Sequence, residues 1–334
     1  MAGKHTAFVL AAGFGTRLRP LTEVVPKPLV PVCGVPMLSY ALALCHLHGH
    51  RHVLLNGHYL SEQLGPWAGE HEGVQVTLSI ETPDILGTGG GLRHVRDELA
   101  ERFAIVNADI LCDVDLSALV ERVPDGGATM ALRPSEDAEV YGVVAADETE
   151  TVVQLVTVAS AEPQGAVMVD THFSGIHAMH VGALDKVPDA FSSIITDSYA
   201  HTVPKRLVRS IRHDGTWLDV GNPAAYLDAN LQVLRGGVDL PLDPMERAAF
   251  AQRSSDSQGD ASLVDGAEVT GAVWVGAGAA IGLGAVLHDC IVGAGAVVAP
   301  GVTLRNAVVW DGCEVHSDVT DGIVIETGRV VGIQ

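Results

Sequence analysis

The sequence predicts an α/β domain followed by a short domain of repeated strands, and three features carry that expectation. Short apolar runs alternate with stretches of helical spacing up to residue 235, which implies a largely parallel sheet covered by helices. A segment rich in Gly, Pro and Ser interrupts this pattern over 236–262 and reads as a linker. From residue 263 to 334, aliphatic residues return every six positions, the mark of a stacked repeat.

A chain of 334 residues is long for one core and suggests two domains. Apolar residues make up 47% but aromatics only 4%, so the interior must be built largely from Ala, Val, Leu and Ile. The net charge of −21 argues against nucleic acid or an anionic membrane as partner, because a negative surface repels polyanions. A small anionic substrate stays possible where cations are gathered locally or a divalent metal neutralises charge. The five cysteines, Cys33, Cys45, Cys112, Cys290 and Cys313, include no C-x-x-C pair and read as small buried hydrophobes in a reducing compartment. The apolar run from Ala7 to Ala12 is too short for a signal peptide and no stretch reaches membrane-spanning length, so a soluble cytoplasmic protein is expected.

The first strand, Ala7 to Ala12, breaks into Gly13-Phe14-Gly15-Thr16, where two glycines let the backbone turn and point N–H groups inward, as a phosphate-holding loop does. Arg17 and Arg19 follow, and Lys27 stands between Pro26 and Pro28, whose fixed φ limits where the ammonium can swing. Neither familiar glycine loop fits: Leu18 occupies the third glycine of G-x-G-x-x-G, and Lys27 follows Pro26 where a Walker loop has glycine.

The pattern G-x-G-T-R-L-R-P-L-T, a spacer, then P-K-P-L-V-P-V-x-G-x-P resembles the signature of the sugar-1-phosphate nucleotidyltransferases. That resemblance implies a Rossmann-like catalytic domain with a mixed sheet over 1–235. It implies nucleotide contacts from Leu10, Ala11, Ala12, Gly13, Gly15 and Thr16, and catalytic roles for Arg17 and Lys27.

Continuing along the chain, Met37 to His48 has helical apolar spacing and stops at Gly49. The neighbouring His46, His48, His50 and His52 lack a completing carboxylate or cysteine set and read as solvated helix-end and turn positions rather than a metal cluster. His52 to Leu55 and Val74 to Ile80 read as strands around a helical stretch near Tyr59 to Trp67. The segment from Glu81 to Leu92 is an acidic turn followed by Gly89, Gly90 and Gly91 at a helix entrance, where a flat base could lie on bare backbone. It resembles the family's base-binding segment in a form typical of guanylyltransferases. Glu81, or failing that Asp84, offers a carboxylate for the two adjacent N–H donors of guanine, the alternative for either acid being a solvated turn.

Phe103 to Val106 is a strand ending in Asn107-Ala108-Asp109, where a carboxylate can hold Mg²⁺ against phosphate oxygens. Asp109 matches the family's first metal aspartate, with Ala108 where glycine is usual. Asp113 and Asp115 read as caps of the next helix. Ala128 to Leu132 and Tyr141 to Ala146 alternate as strands, and Tyr141-Gly142-Val143-Val144 resembles a motif lining the sugar pocket. The family's Phe-x-Glu-Lys-Pro segment has no counterpart in 152–163, which leaves the identity of the sugar open. Ser174 and Gly175 match a further sugar-facing strand, and Trp217-Leu-Asp219-Val-Gly221-Asn-Pro223 resembles the motif that supplies the second metal aspartate, Asp219.

After the linker, in which Met245 to Gln252 is open to a helical turn, the hexads fall at Leu263, Val269, Val275, Ile281 and Leu287. They slip to Val292, Val298 and Leu304, and again to Val309 and Val315. Such spacing resembles the hexapeptide repeat of a left-handed parallel β-helix, with room for about three coils. That is short for an acetyltransferase, so His288 and His316 are not taken as bases, and a subunit-contact or capping role, with a homo-oligomer, is expected.

The resemblance as a whole implies Mg²⁺-dependent nucleotidyl transfer from a nucleoside triphosphate to a sugar 1-phosphate, with GTP and mannose 1-phosphate first. Uridylyl transfer to N-acetylmuramate 1-phosphate or another sugar 1-phosphate, guanylyl transfer to heptose 1-phosphate, and a silent NDP-sugar-binding regulatory subunit are the alternatives.

Overall fold

A computed structural model describes residues 4–134, 141–244, 250–254 and 266–333. The chain divides into two compact units that do not follow sequence order: one runs up to Phe14 and resumes over Leu38–Trp217, and the other takes Gly15–Met37 and the chain from Leu218 onward.

The first unit is built on an eight-stranded mixed sheet. Its strands are β1 (His5–Leu10), β2 (His52–Gly57), β3 (Gly69–His71), β4 (Val74–Ile80), β5 (Leu99–Asn107), β6 (Ala128–Pro134), β7 (Thr171–His180) and β8 (Val208–Arg212), in the order β8-β6-β7-β5-β1-β2-β4-β3. β1, β2, β4 and β5 run parallel, while β7 lies antiparallel between β5 and β6. Parallel strands covered on both faces need apolar residues at successive positions, and Ala7–Val9, Val53–Leu55 and Phe103–Val106 are all buried. Phe8, Phe103, Ile105, Met130, Leu132, Met179 and Tyr199 form the core beneath the sheet.

Helix α1 (Met37–Leu47) ends as its sequence foretells. Gly49 takes φ +79°, the amide of His50 donates to Cys45 and that of Gly49 to His46, which is a Schellman stop. The expected helix near Tyr59–Trp67 is instead a 3₁₀ segment, Ser61–Trp67, because Pro66 falls inside it. Helix α2 (Gly87–His94) carries the three consecutive glycines. The histidine group does not stay in solvent throughout. His50 is buried, with Nε2 unpartnered, and burial pushes its imidazole down to about 4. All five cysteines are buried free thiols.

A second, four-stranded sheet made of Val144–Asp147, Val152–Leu155, Ala159–Ser160 and Val167–Met168 lies beyond β6 in sequence. Its strand starts at Val144, so Tyr141 and Gly142 precede it rather than belong to it, and Gly142 adopts φ +93°. Asp147 is buried and pins this sheet, accepting from Arg206 (2.7 Å) and from the Gln164 amide (2.8 Å). Burial pushes its carboxyl up, but the hydrogen bonds from the Thr149 hydroxyl, the Gln164 amide and Arg206 outweigh it and hold the group well below the usual range.

The second unit holds helix α3 (Pro223–Leu234), capped by Asn222, whose Oδ1 accepts from the Ala225 amide at 3.0 Å. The strands β9 (Glu268–Gly276), β10 (Val286–Val292), β11 (Thr303–Val309) and β12 (Val319–Glu326) stack in parallel. A second parallel stack joins Ala280–Ile281, Val297–Val298 and Glu314–Val315, an arrangement compatible with a β-helix. Leu263 lies outside the described residues; of the other hexad positions, Val275, Leu287, Val292, Val298, Leu304, Val309 and Val315 are buried. Register explains the slips of phase: Val269, Leu287, Leu304 and Val319 are paired in turn, as are Val275, Val292, Val309 and Val324, so coils shorter than three full hexads absorb the slips while the paired columns stay aligned. Asp289, Asn306 and Asp321, all at φ between +45° and +47°, turn the corner in consecutive strands. At Gly276, Gly282 and Gly293 a Cβ would meet the backbone of the next coil. Residues 245–249 lie outside the described residues, and Phe250–Ser254 is a strand antiparallel to β9 where a helical turn was open.

Candidate active site

In the first unit, the end of β1 and what surrounds it carry the first of the expected site residues. β1 stops at Leu10, whose carbonyl accepts from the Ala108 amide at 3.1 Å, tying the glycine loop to the segment that carries Asp109. Ala11 and Ala12 are buried, whereas Gly13 and Phe14 are exposed, with the Phe14 ring against His58 and Tyr59. The Ala11 amide donates to Asn56 Oδ1 (2.7 Å), Asn56 Nδ2 donates to Glu81 Oε1 (2.8 Å), and Glu81 Oε2 accepts from the Leu86 amide (2.7 Å). The phosphate loop and the start of the base segment are thereby held by one buried chain of hydrogen bonds.

That chain corrects two expectations. Glu81 is only 2% exposed and both of its oxygens are engaged within the protein, so it positions backbone and does not face a base; the outward acid of the turn is Asp84. Gly89, Gly90 and Gly91 do not leave bare backbone for a flat ring either. A Cβ at Gly89 would meet Ser192 Oγ at 2.8 Å, one at Gly90 the Ala190 carbonyl at 2.3 Å, and one at Gly91 Glu81 Oε1 at 2.6 Å. The glycines let α2 pack against the 190–193 segment and against Glu81.

Asp109 follows the carboxyl end of β5 and is half-buried, with the Ala108 methyl turned into the core. Gly175 sits directly over the neighbouring Asn107: its φ is +84°, and a Cβ there would lie 2.7 Å from Asn107 Nδ2. The segment leading to Asp109 and the Ser174-Gly175 segment are therefore adjacent. Ser174 departs from its expected role, being 1% exposed with Oγ accepting from the Ile176 amide at 3.2 Å, so only the main chain of this pair is available to a ligand. Tyr141 is half exposed and stacks on His172 with ring centroids 4.5 Å apart, and the Trp217 edge closes on both rings. Trp217 Nε1 donates to the Ser174 carbonyl at 2.8 Å. His172 is buried with both ring nitrogens unpartnered, and burial together with Arg133 lowers its imidazole below the ordinary value. Sequence reading missed His172; its one signal was its place two residues before Ser174.

The second unit carries the cationic loop. Gly15 is left-handed (φ +61°), its carbonyl accepts from Thr22 Oγ1 at 2.8 Å, and a Cβ there would stand 2.8 Å from Thr22 Cγ2 and 3.2 Å from Lys27 Cβ. Any side chain here would be strained and would crowd Thr22 and Lys27. Thr16–Leu18 forms a 3₁₀ turn that presents Arg17 to solvent. Lys27 opens a further 3₁₀ turn, Lys27–Leu29, framed by prolines as its sequence requires. Asp219 ends the strand Trp217–Asp219, and its carboxylate shares the open side of Gly221 with the Arg17 guanidinium: a Cβ there would lie 3.3 Å from Asp219 Oδ1 and 3.5 Å from Arg17 Nη2.

Asp109 and Asp219 are half-buried carboxylates at strand ends, the hard oxygen donors that suit a divalent cation such as Mg²⁺. Glu101, Asp125 and His180 also lie close together, but Arg102 already pairs with both acids, which makes that group an ion-pair cluster.

The chain belongs to the nucleotidyl transferase family, whose model matches residues 6–236, and it is a nucleotidyltransferase of the kind that acts on sugar phosphates. Among its relatives, a probable mannose-1-phosphate guanylyltransferase 1 of Oryza sativa subsp. japonica is 30% identical over 291 residues, spanning 84% of this chain and 74% of that protein. A UTP–glucose-1-phosphate uridylyltransferase of Synechocystis is 26% identical over 81% of this chain and 73% of its own length. The crystal structure of HddC from Yersinia pseudotuberculosis complexed with GMP-PN shares the fold, with a TM-score of 0.55 and 22% identity, covering 68% of this chain and 98% of that one. Among the described residues no helix is long and apolar enough to cross a membrane.

Proposed function

We propose that this chain transfers the guanylyl group of GTP to mannose 1-phosphate, giving GDP-mannose and pyrophosphate. The observation that supports the reading is the 30% identity to a probable mannose-1-phosphate guanylyltransferase over most of both chains, and Arg17, Lys27, Asp109 and Asp219 are present in the sequence motifs.

The attacking oxygen belongs to a phosphate that is already anionic, so no general base is needed, and catalysis is alignment with charge neutralisation. The main chain of Leu10 to Gly13, with Gly15 and Thr16, cradles phosphate oxygens. Arg17 takes the β and γ phosphates, and Lys27 neutralises charge growing at the α-phosphoryl group. Asp109 and Asp219 are the carboxylates that would hold Mg²⁺, which would supply neutralisation of phosphate charge. Gly142, Gly175 and the Tyr141 ring line the sugar. The parallel strands after residue 266 we read as a left-handed β-helix through which copies associate, supported by the hexad columns and measurable as particle mass by light scattering.

The Synechocystis relative favours uridylyl transfer to glucose 1-phosphate as the second reading. Pyrophosphate release measured over a matrix of four nucleoside triphosphates and several sugar 1-phosphates separates the two. Turnover with GTP and mannose 1-phosphate at least tenfold above every other pair supports the proposal, and a preference for UTP overturns it.

A further inference from the structure

The segment carrying Lys27 runs into a hairpin whose turn is Cys33-Gly34, with φ +49° and +74°. This is the twist of a two-residue type I′ turn, and a left-handed cysteine costs energy that something must offset. Helix α3 supplies the compensation: Asn230 Oδ1 accepts from the Cys33 amide at 2.7 Å. Strand pairing sets a second demand. The Met37 amide donates to the Val30 carbonyl at 3.2 Å, so Val30 and Met37 face each other in a hydrogen-bonded position, and alternation makes Pro31 and Pro36 a non-bonded pair. Neither proline has an N–H to lose there, but the Pro31 carbonyl points away from its partner strand and needs an outside donor. Tyr226, one turn before Asn230 on the same face of α3, donates its hydroxyl to that carbonyl at 2.6 Å. The same hydroxyl accepts from Trp310 Nε1 at 2.9 Å, and Trp310 directly follows β11 in the parallel stack. Arg235, just beyond α3, adds an ion pair to Asp289 at 2.6 Å, in the turn of β10. Tyr226 and Asn230 are fully buried.

The geometry points to Tyr226 and Trp310 as positioning residues for nucleotidyl transfer: the C-terminal parallel stack, through one buried tyrosine hydroxyl, fixes the hairpin that sets the Lys27 backbone. This rests on the role proposed for Lys27 and gives the C-terminal strands a part in the reaction beyond capping or subunit contact. A small displacement of an aligned charge costs catalysis more than binding.

The test is a double-mutant cycle on the full chain with GTP and mannose 1-phosphate, joined to amide hydrogen exchange. Tyr226→Phe removes the hydroxyl while keeping the ring, and should lower kcat about tenfold to a hundredfold with little change in KM. Trp310→Phe should lower it by a smaller factor. In a Lys27→Ala background, Tyr226→Phe should cost no more than about twofold, because the residue it positions is already gone. Independently of turnover, exchange at the Leu29, Val30 and Met37 amides should quicken in Tyr226→Phe while the β5 amides keep their wild-type rates. An equal loss of kcat in both backgrounds, or unchanged exchange at those three amides, overturns the proposal. Absence of pyrophosphate release from the wild type with any substrate pair would overturn the functional reading instead, and the exchange rates would still decide whether the hydroxyl holds the hairpin.

Discussion

Replacing Glu81 by glutamine tests the buried chain that ties the phosphate loop to the base segment, and the outcome follows from counting donors. The chain has a backbone N–H at each end, on Ala11 and on Leu86. Between them stand Asn56, which offers one accepting and one donating face, and Glu81, which accepts on both. Two terminal donors and one amide leave room only for a residue that donates nothing. In Glu81→Gln the new NH₂ must face either the Leu86 N–H or the Asn56 NH₂. Turning Asn56 over to avoid the second clash merely sets its NH₂ against the Ala11 N–H. One buried donor stays unsatisfied however the amides rotate, at a cost of about 1–3 kcal/mol.

Asn56→Asp fails in the opposite sense, pressing two buried carboxylates together, and should cost at least as much. Combining the two changes restores every bond. The aspartate introduced at position 56 would accept from the Ala11 amide and from the side-chain NH₂ of the glutamine introduced at position 81, whose side-chain carbonyl would accept from the Leu86 amide. Urea unfolding of the wild type, both single variants and the double variant measures this directly. Each single change should lower stability by about 2 kcal/mol, and the double should recover to within about 1 kcal/mol of wild type. Because Glu81 is 2% exposed, the ratio of GTP to UTP turnover should stay constant in any Glu81→Gln protein that folds. Additive damage in the double variant, or an unchanged stability joined to a switch of base preference, would return Glu81 to the ligand-reading role suggested by its acidic turn.

Three further outcomes are expected. Lys27→Ala should lower kcat by about two to three orders of magnitude at saturating substrate, the loss typical of one preorganised donor, and a rate near wild type in the pyrophosphate assay would remove Lys27 from the mechanism. Gly15→Ala should raise the KM for triphosphate, because the alanine is strained at φ +61° and its methyl meets Thr22 Cγ2 at 2.8 Å. Adding Thr22→Ser, which keeps the hydroxyl and removes that methyl, should recover part of the loss, and no recovery would place the fault in the backbone alone. Burial pushes His50 down to about 4 and His177 down to about 3, so the folded state binds protons less readily than the unfolded chain. Their contribution is complete above the ordinary histidine pKa of about 6.5 and is lost as pH falls from there towards 4, each on the order of 3 kcal/mol at the acid end. Urea midpoints measured across that range should fall steadily, His50→Phe should flatten the decline, and equal slopes in the two proteins would contradict the burial argument.

Much of the fold was legible because its signals are local. The doubly buried strands announced themselves as unbroken aliphatic runs, Gly49 stopped α1 by its own conformational freedom, and the hexads marked columns that strand register then confirmed. What stayed hidden depends on partners distant in sequence. Nothing near Glu81 shows that Asn56 and Ala11 wait for it, and an acid in a turn looks solvated until its oxygens are counted. Ser174 was misread for a different reason: its oxygen is taken locally, by the Ile176 amide two residues on, a turn that residue types alone do not announce.

The glycines show how such errors arise and how they are settled. Gly15, Gly90 and Gly175 all sit in motifs that suggest close approach to a substrate, and in each the position a Cβ would occupy is taken by the protein itself: Thr22, the Ala190 carbonyl and Asn107. A glycine in a signature therefore states only that something comes close, and the identity of that neighbour decides its role. At Gly13, by contrast, nothing stands within 4 Å of a Cβ, and the residue is exposed at the end of the first strand. Of the two loop glycines, Gly13 is the one whose open side no protein atom fills, whereas Gly15 can offer a ligand only its main chain. Gly13→Ala should therefore leave stability untouched and impair triphosphate binding, whereas Gly90→Ala should do the reverse, a contrast that calorimetry and urea unfolding on the two variants would expose.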